Sequence, residues 1–452
     1  MAIDQSAVMW QKFVRGLNGT TAGQGLDPAT FLPTGGLTNA DWEILDVTGL
    51  PASPNTPAVG SLVVASLEKW ANVMPQWTPG YAPSALNFYD QYKTFLLSIQ
   101  LKGGNPGLQQ IADGYAINVS KAQQKLSNDR TAMNTAFLAF NTTQAALPPS
   151  AQMTFQQWYV QNGYDQIITS DQNAMAAATT LYNQAMAKIG GPDYQTIASA
   201  QAAVALSPAA GTGLTGLDGS IYPLYTVTPD LNAWYLSALQ TLTNGSPPAI
   251  NINLTLDSSD STSLQTSSYL DVAAGGHYSS FFWGGSASAS YSQSQGAQDY
   301  TSLIEGMSMT YTAQAAQLFG IVPGNWYNSS ITADFYDQIS PNSALANKPL
   351  FGPNGMLNLR TGQVLVVLKP SVTLTASKES MQALYRQMQQ QSSSSFSIGG
   401  FCWSAGASHA QGSSSFASDV KMSADGTSIT ITDNTNSPKV LGIVPIPLGK
   451  AS

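Results

Sequence analysis

The side chains that most often carry catalysis are scarce in this sequence of 452 residues. The chain has two histidines, His277 and His409, one cysteine, Cys402, and four glutamates. Cys402 and His409 are an odd number of positions apart, so a strand would place them on opposite faces, which argues against a Cys–His nucleophile. We find no Ser–His–Asp order, HExxH motif or CxxC motif, and therefore expect that the protein is not an enzyme.

Close pairs of carboxylates could serve as the acid and base of glycoside hydrolysis or as calcium ligands. The candidates are Asp257 with Asp260 and Asp334 with Asp337, at spacings that are typical of turns and helix caps. The first pair lacks the ligand spacing and the glycine of an EF-hand. The chain also has no GxxxxGK[ST] phosphate loop. We expect no catalytic residue, no metal and no cofactor.

The charge balance argues against nucleic acid as a partner. Charged residues make up only 9% of the chain, the net charge is −8, and no Lys or Arg occurs from Ile189 to Asn347. An acidic surface repels phosphate backbones. The first residues, MAIDQSAVMWQKFVRG, lack a basic segment followed by an apolar core, so we expect no signal peptide. The expected location is the cytoplasm, or the exterior if the protein is released by lysis or an unusual route.

Two stretches in the second half of the chain alternate between apolar and small polar residues. In Phe281–Gln293, FFWGGSASASYSQ, the odd-numbered positions from Phe281 to Tyr291 are apolar or glycine, and the even-numbered positions from Ser286 to Ser292 are serine. Phe401–Gln411, FCWSAGASHAQ, repeats the pattern at an offset of 120. Period-two alternation predicts strands with one dry and one wet face.

These stretches lie inside two windows that contain no Asp, Glu, Lys or Arg, namely Val272–Gln298 and Gln387–Ser418. Each window is long enough for two strands of about 10 residues, the length that crosses a bilayer. The windows resemble the Ser/Thr-rich insertion hairpins of β-pore-forming toxins, a resemblance that covers about 60 residues and includes no family motif. The same residues also suit ordinary packed strands, because Gly and Ala remove little apolar area from water. A third interpretation is close stacking of flat sheets in an assembly.

The elements that would carry these strands divide the chain into an α+β fold. Residues 106–146 and 150–189 have helical periodicity and a short connection, which predicts a long antiparallel helical hairpin with Leu126, Met133 and Phe137 inward. The change from helical to strand periodicity at Asn244–Pro248 predicts an all-α domain, 1–245, and a β-rich, sandwich-like domain, 246–452.

The β-rich half contains an internal repeat, which predicts two similar units at about 249–330 and 364–450. Gly320-Ile321-Val322-Pro323 recurs as Gly442-Ile443-Val444-Pro445, and the alternation of Ile250–Leu256 recurs at Val372–Ala376. Matched blocks in one order indicate a duplication. Val364–Leu368 is apolar throughout, which predicts a central strand.

The preferred hypothesis is a membrane-active, oligomerising, pore-forming protein that has lipid or a second copy of itself as its partner. The alternatives are a self-assembling structural or surface protein and a non-enzymatic module that binds glycan or protein. The residues predicted to contact membrane or another subunit are the apolar members of the two stretches: Phe281, Phe282, Trp283, Ala287, Ala289, Tyr291, Phe401, Trp403, Ala405 and Ala407.

Overall fold

A computed structural model of the chain shows an α+β protein with a helical N-terminal half and an antiparallel sheet in the C-terminal half. The structure describes residues 5–33, 71–72, 74, 87–101, 105–144, 153, 155–191, 193–215, 221–256, 307–352, 355–390, 396–398, 401–403, 418–433, 436 and 438–449.

The helices of the described residues lie mainly in the first half of the chain. Their bounds are α1 Gln5–Asn18, α2 Phe88–Ser98, α3 Pro106–Gln144, α4 Phe155–Gln161, α5 Tyr164–Ile189, α6 Tyr194–Ala203, α7 Leu231–Thr243, α8 Ser329–Phe335 and α9 Lys378–Gln390.

The strands that the structure describes form one eight-stranded antiparallel sheet and two short ribbons. Their bounds are β1 Leu32–Pro33, β2 Gly213–Thr215, β3 Ile221–Pro223, β4 Tyr225–Thr228, β5 Ile250–Leu256, β6 Met307–Pro323, β7 Leu359–Thr375, β8 Phe396–Ile398, β9 Phe401–Trp403, β10 Ser418–Met422, β11 Ser428–Asp433 and β12 Lys439–Pro447. The ribbons are β2–β3 and β8–β9, and all other strands belong to the large sheet.

Two strands of 17 residues, β6 and β7, pair along almost their whole length and form the centre of the sheet. At one end, the strand order is β5-β6-β7-β11-β10, and at the other end it is β4-β6-β7-β12-β1. The central position predicted for Val364–Leu368 is confirmed, because β7 has partners on both edges. Strands β1 and β4 come from the N-terminal half, so that half contributes to the sheet as well as packing on it.

Within the described residues, helices rather than a second large sheet pack against both faces. One hydrophobic cluster joins Trp10 and Phe13 of α1 and Met381 and Leu384 of α9 to one face of the sheet. A second cluster joins α2, α3, α5 and α6 to the opposite face at the β4–β12 end, through side chains such as Phe319. Burial of each such side chain stabilises the fold by about 1.5–3 kcal/mol.

The predicted helical hairpin is present, with one correction to its second arm. Helix α3 runs for 39 residues without a break, and Leu126 and Met133 are buried as predicted. The second arm is not one helix, because α4 ends at Gln161 and α5 begins at Tyr164. Gly163, between them, has a φ of 72°. Glycine adopts this left-handed conformation without the steric cost of a side chain, so it separates the two helices.

Strand pairing follows the register that the internal repeat requires. Ile252 pairs with Tyr311, and the pair Val372 and Ile431 stands 120 positions later on both strands. The repeated Gly-Ile-Val-Pro block has an offset of 122. The extra two residues fall where β11 ends and β12 begins, while β6 runs straight through the matching position. Duplication stays a prediction, and the equal register supports it.

Candidate functional site

Most residues predicted to contact membrane or another subunit lie outside the described part of the chain. These are Phe281, Phe282, Trp283, Ala287, Ala289, Tyr291, Ala405 and Ala407. Phe401 and Trp403 are the first and last residues of β9. The described strands nevertheless show where in the sheet the connections that contain the two charge-free windows begin.

Each window belongs to a long connection between two strands that are direct neighbours in the sheet. Residues 257–306, here called the first excursion, join Leu256 to Met307, which are paired. Residues 376–427, the second excursion, join Thr375 to Ser428, which are also paired. Antiparallel neighbours are normally joined by two to five residues, whereas each excursion has about 50.

Both excursions leave the sheet at the same end. Ser308 pairs with Thr375, so the ends of the β5–β6 pair and of the β7–β11 pair lie side by side. The four strands β5, β6, β7 and β11 are therefore consecutive and antiparallel, with one excursion between the first two and one between the last two. This end of the sheet is the candidate functional site.

One face of the four strands at this end is apolar. We call it the apolar face, and it consists of Ile252, Leu254, Met307, Met309, Tyr311, Ala313, Val372, Leu374, Ile429 and Ile431, all of which are buried. Helices α1 and α9 cover it, and the ring of Phe13 meets that of Tyr311 edge to face at 5.1 Å. Burial, and after it the nearby carboxylate of Asp433, raises the pKa of the Tyr311 hydroxyl above its ordinary value.

The opposite face of the same strands is built entirely from small polar side chains. We call it the polar face, and its three cross-strand rows are Asn251–Thr312–Ser371–Thr432, Asn253–Thr310–Thr373–Thr430 and Thr255–Ser308–Thr375–Ser428. None of these side chains is buried. The site residues predicted from the sequence represent only the apolar half of this alternation; the sequence signal of the polar face is the Ser, Thr or Asn at every second position.

Hydrogen bonds run across the polar face within its rows. Thr310 Oγ1 donates to Asn253 Oδ1 at 2.6 Å, and the hydroxyls of Thr373 and Thr430 are 3.0 Å apart. Ser371 and Thr432 make the same contact at 3.0 Å. Cross-strand pairs of this kind contribute about 0.2–1 kcal/mol each and hold the rows in register.

The second excursion contains a tight hairpin close to its midpoint. Strands β8 and β9 pair Phe396 with Trp403 and Ile398 with Phe401, and residues 399 and 400, which connect them, are both glycine. Gly-Gly suits a two-residue hairpin turn because both positions need a positive φ. By register, all four named residues stand on one face of the hairpin, and Ser397 and Cys402 stand on the other.

The described residues also contain a buried lysine between helices α2 and α5. Lys93 is 7% exposed, its Nζ lies 3.6 Å from Met175 Sδ, and it lies 6.0 Å from the ring centre of Tyr89. Desolvation lowers the pKa of Lys93, against the opposing effect of Asp90. A lowered lysine pKa can mark a nucleophile, but this amine is packed against the side chains of Met175 and Tyr89.

Metal and dinucleotide binding have little support in the described residues. They contain no group of three His, Cys, Asp or Glu side chains placed to hold a metal ion. Residues 211–216 have the spacing GxGxxG, which the prediction of no cofactor leaves out of account. The structure places this stretch after helix α6 and in the ribbon β2–β3, not between a strand and a helix as a dinucleotide site requires.

Across the helices that the structure describes, none has both the length and the apolar character needed to pass through a bilayer. Comparison of the chain with protein-family models, with curated proteins and with solved structures finds no match.

Proposed function

We propose that the protein forms membrane pores, and that the two excursions are the segments that enter the lipid as β-hairpins. The observation that carries this proposal is that both excursions leave the sheet at the same end. Two long connections, each containing a charge-free window, extend two neighbouring strand pairs of one sheet at the same end. If each connection adopted the extended form, it would lengthen four adjacent strands together.

The alternation within the excursions is in phase with the faces of the sheet. In an unbroken strand, counting back from Met307 in steps of two reaches Tyr291, Ala289 and Ala287. The same count from Ile429 reaches Ala407, Ala405 and Trp403. The apolar residues of both windows would thus be in phase with the apolar face, and Ser286 to Ser292 with the polar face. The same counts pass Glu305 and Asp299 in the first excursion and Asp425, Lys421 and Asp419 in the second, so these charged residues would lie between the sheet and the hydrocarbon core. Membrane barrels need this pattern, with apolar side chains toward lipid and polar ones inside.

The length of the excursions agrees with this role. A hairpin that crosses the hydrocarbon core needs about 9–11 residues in each strand, so about 50 residues suffice with some to spare. Continued pairing from Leu256 and Met307 would place the turn of the first hairpin between Phe281 and Phe282. For the second excursion, the turn would fall between Phe401 and Cys402, two residues from the turn that joins β8 and β9.

Insertion would require two described elements of the second excursion to change partners. Helix α9 would leave the apolar face, which removes Met381 and Leu384, at 0% and 1% exposure, from the core. Strand β10 would leave β11, because its residues would become part of a longer β11. That step would free one edge of β11 for β5 of a neighbouring copy. A membrane-spanning sheet must have no free edge, so closure requires several copies.

A test of the proposal compares adjacent residues on opposite faces. Ala287→Lys puts a charge on the side predicted to face lipid, at a cost of about 2–4 kcal/mol in each copy. Ser286→Lys makes the same chemical change one position away, on the side predicted to face water. We expect release of a fluorescent dye from phosphatidylcholine vesicles by the wild type and by Ser286→Lys, and loss of release in Ala287→Lys.

The second excursion supplies an independent pair, Ala407→Lys and Ser408→Lys, with the same expectation. Circular dichroism and chromatography of each variant would establish that it folds as the wild type does. Equal dye release by the two members of both pairs would show that the windows do not enter lipid as alternating strands. A wild type that releases no dye and polymerises without lipid would favour the structural alternative.

A further inference from the structure

The polar face has no formal charge on any of its twelve positions in the three cross-strand rows. Seven of them are threonine, three are serine and two are asparagine. A face that only had to remain in water could carry lysine and glutamate, as exposed strand positions commonly do. Every one of these positions instead holds a short neutral side chain, in a chain of which only 9% is charged.

The outermost strand adds charges of both signs to the same face. Register places Asp419 beside Thr432 and Lys421 beside Thr430. In the proposed pore β10 leaves β11, so neither charge remains beside these rows, and the twelve positions themselves carry no formal charge.

We propose that the polar face lines the water-filled lumen of the oligomeric pore and makes it nearly indifferent to the sign of the ion that passes. This inference rests on the proposed function and specifies what the pore transmits. Selectivity by charge arises from rings of charged side chains, which each copy of an oligomer repeats around the lumen. A ring built from Thr310, Thr373 and their row neighbours supplies hydroxyl and amide dipoles but no fixed charge.

The hydrogen bonding of the face supports this use. In the row Asn253–Thr310–Thr373–Thr430, two hydrogen bonds, Thr310 to Asn253 and Thr373 with Thr430, use some of the donors and acceptors of the side chains. A hydroxyl has one donor and two acceptor lone pairs, so capacity remains for water. Such a wall is wetted and has no fixed charge that would attract ions of one sign, because it offers neither a carboxylate nor an ammonium group. Potassium, chloride and small neutral solutes should all pass.

The test is the ion selectivity of pores in planar bilayers of neutral lipid. For the wild type under a tenfold KCl gradient, we expect permeabilities to potassium and chloride within about threefold of each other. Thr255→Lys should make the pore prefer chloride and Thr255→Glu should make it prefer potassium, because each copy adds one charge to the ring. Thr255 is exposed at the end of its row, so both variants should fold.

Two further variants complete the design. Asn251→Asp adds a negative charge with almost no change in shape, and it should also shift the preference toward potassium. Thr180→Lys adds the same charge as Thr255→Lys on the exposed surface of α5, away from the sheet, and should leave the permeability ratio unchanged.

The outcomes separate this inference from the function on which it rests. Pores whose permeability ratio is the same in the wild type, Thr255→Lys, Thr255→Glu and Asn251→Asp would overturn the lumen assignment and leave pore formation standing. A strongly selective wild-type pore would also overturn it. A wild type that never conducts would refute pore formation itself, and the lumen assignment with it.

Discussion

The two glycines of the repeated Gly-Ile-Val-Pro block should respond in opposite ways to alanine. A Cβ on Gly442 would lie 2.3 Å from Cζ of Phe31 and 2.8 Å from the backbone oxygen of Leu32. A Cβ on Gly320 would meet nothing nearer than the Thr228 oxygen at 3.6 Å, which is an ordinary contact. The same substitution in the two units is thus a matched pair that differs mainly in the space available.

The cost at Gly442 follows from what holds Phe31 in place. Its ring is fully buried and stacks on Trp10 with centroids 5.5 Å apart, and its backbone oxygen accepts a 2.7 Å hydrogen bond from Trp10 Nε1. Because Phe31 cannot move outward, Gly442→Ala should lower the free energy of unfolding by about 1–3 kcal/mol, as overpacking of a filled core does. Gly320→Ala should leave it unchanged or raise it by up to about 1 kcal/mol, since alanine restricts the unfolded chain.

Urea unfolding of both variants, followed by tryptophan fluorescence and far-ultraviolet circular dichroism, measures this difference. The wild type is the reference, and equal slopes against urea would show that only stability has changed. If the two variants differ by less than about 0.5 kcal/mol, the tight contact of β12 with Phe31 is not present in solution. The close packing of α1 on the sheet would then need revision as well, because Trp10 and Phe31 connect them.

Two further predictions concern the helices. Lys93→Met should raise the free energy of unfolding, because it replaces a desolvated charge that contacts Met175 by an apolar side chain of similar length. The pKa of Lys93 is lower in the folded protein than its ordinary value of 10.5. Between the two pKa values the unfolded chain binds more protons, so the free energy of unfolding should rise as the pH increases toward 10.5. Lys93→Met should reduce this dependence on pH. Leu126→Ala should cost about 2–5 kcal/mol because Leu126 is buried between the arms of the hairpin, whereas Ile111→Ala, at a position 53% exposed, should cost under about 0.5 kcal/mol. Denaturant titration measures both, and equal losses at Leu126 and Ile111 would contradict the predicted inward face.

Local patterns were sufficient to predict the first arm of the helical hairpin. Leu126 and Met133 follow a helical period that is visible in any window of α3, and the structure buries both. The break at Gly163 was missed because a single glycine within a helical pattern is often tolerated. Its left-handed φ interrupts the helix, and the neighbouring residues give no sequence signal of this break.

The sheet depends on information that no short window contains. Strand β1 has only two residues, and it exists because Leu32 meets Ile443 across more than 400 positions of chain. The polar face is similar, since Thr310, Thr373 and Thr430 become one row only when three separate strands are in register. Alternation in each strand could be predicted from the sequence, but the rows could not. Of the predicted contact residues, Phe401 and Trp403 lie in a described strand, and their role stays a prediction.

The hairpin of β8 and β9 permits a test of whether the second excursion would enter lipid as a pair of joined strands. Ser397 and Cys402 are directly opposed, and the Cα atoms of opposed antiparallel residues are about 4.5–5.5 Å apart, within the range that a disulfide bridges.

Cys402 is the only cysteine, so Ser397→Cys should form an intramolecular disulfide under mild oxidation, detected by mass and by loss of free thiol. Ser395→Cys, two positions out of register, is the control and should oxidise more slowly. If the strands keep the β8–β9 pairing on insertion, oxidised Ser397→Cys should release dye from vesicles as fast as its reduced form, because the bond joins residues that stay opposed. Release that is lost on oxidation and regained on reduction would mean that β8 and β9 must part, as continued pairing from Thr375 and Ser428 requires, because that register sets Ser397 opposite Gly406.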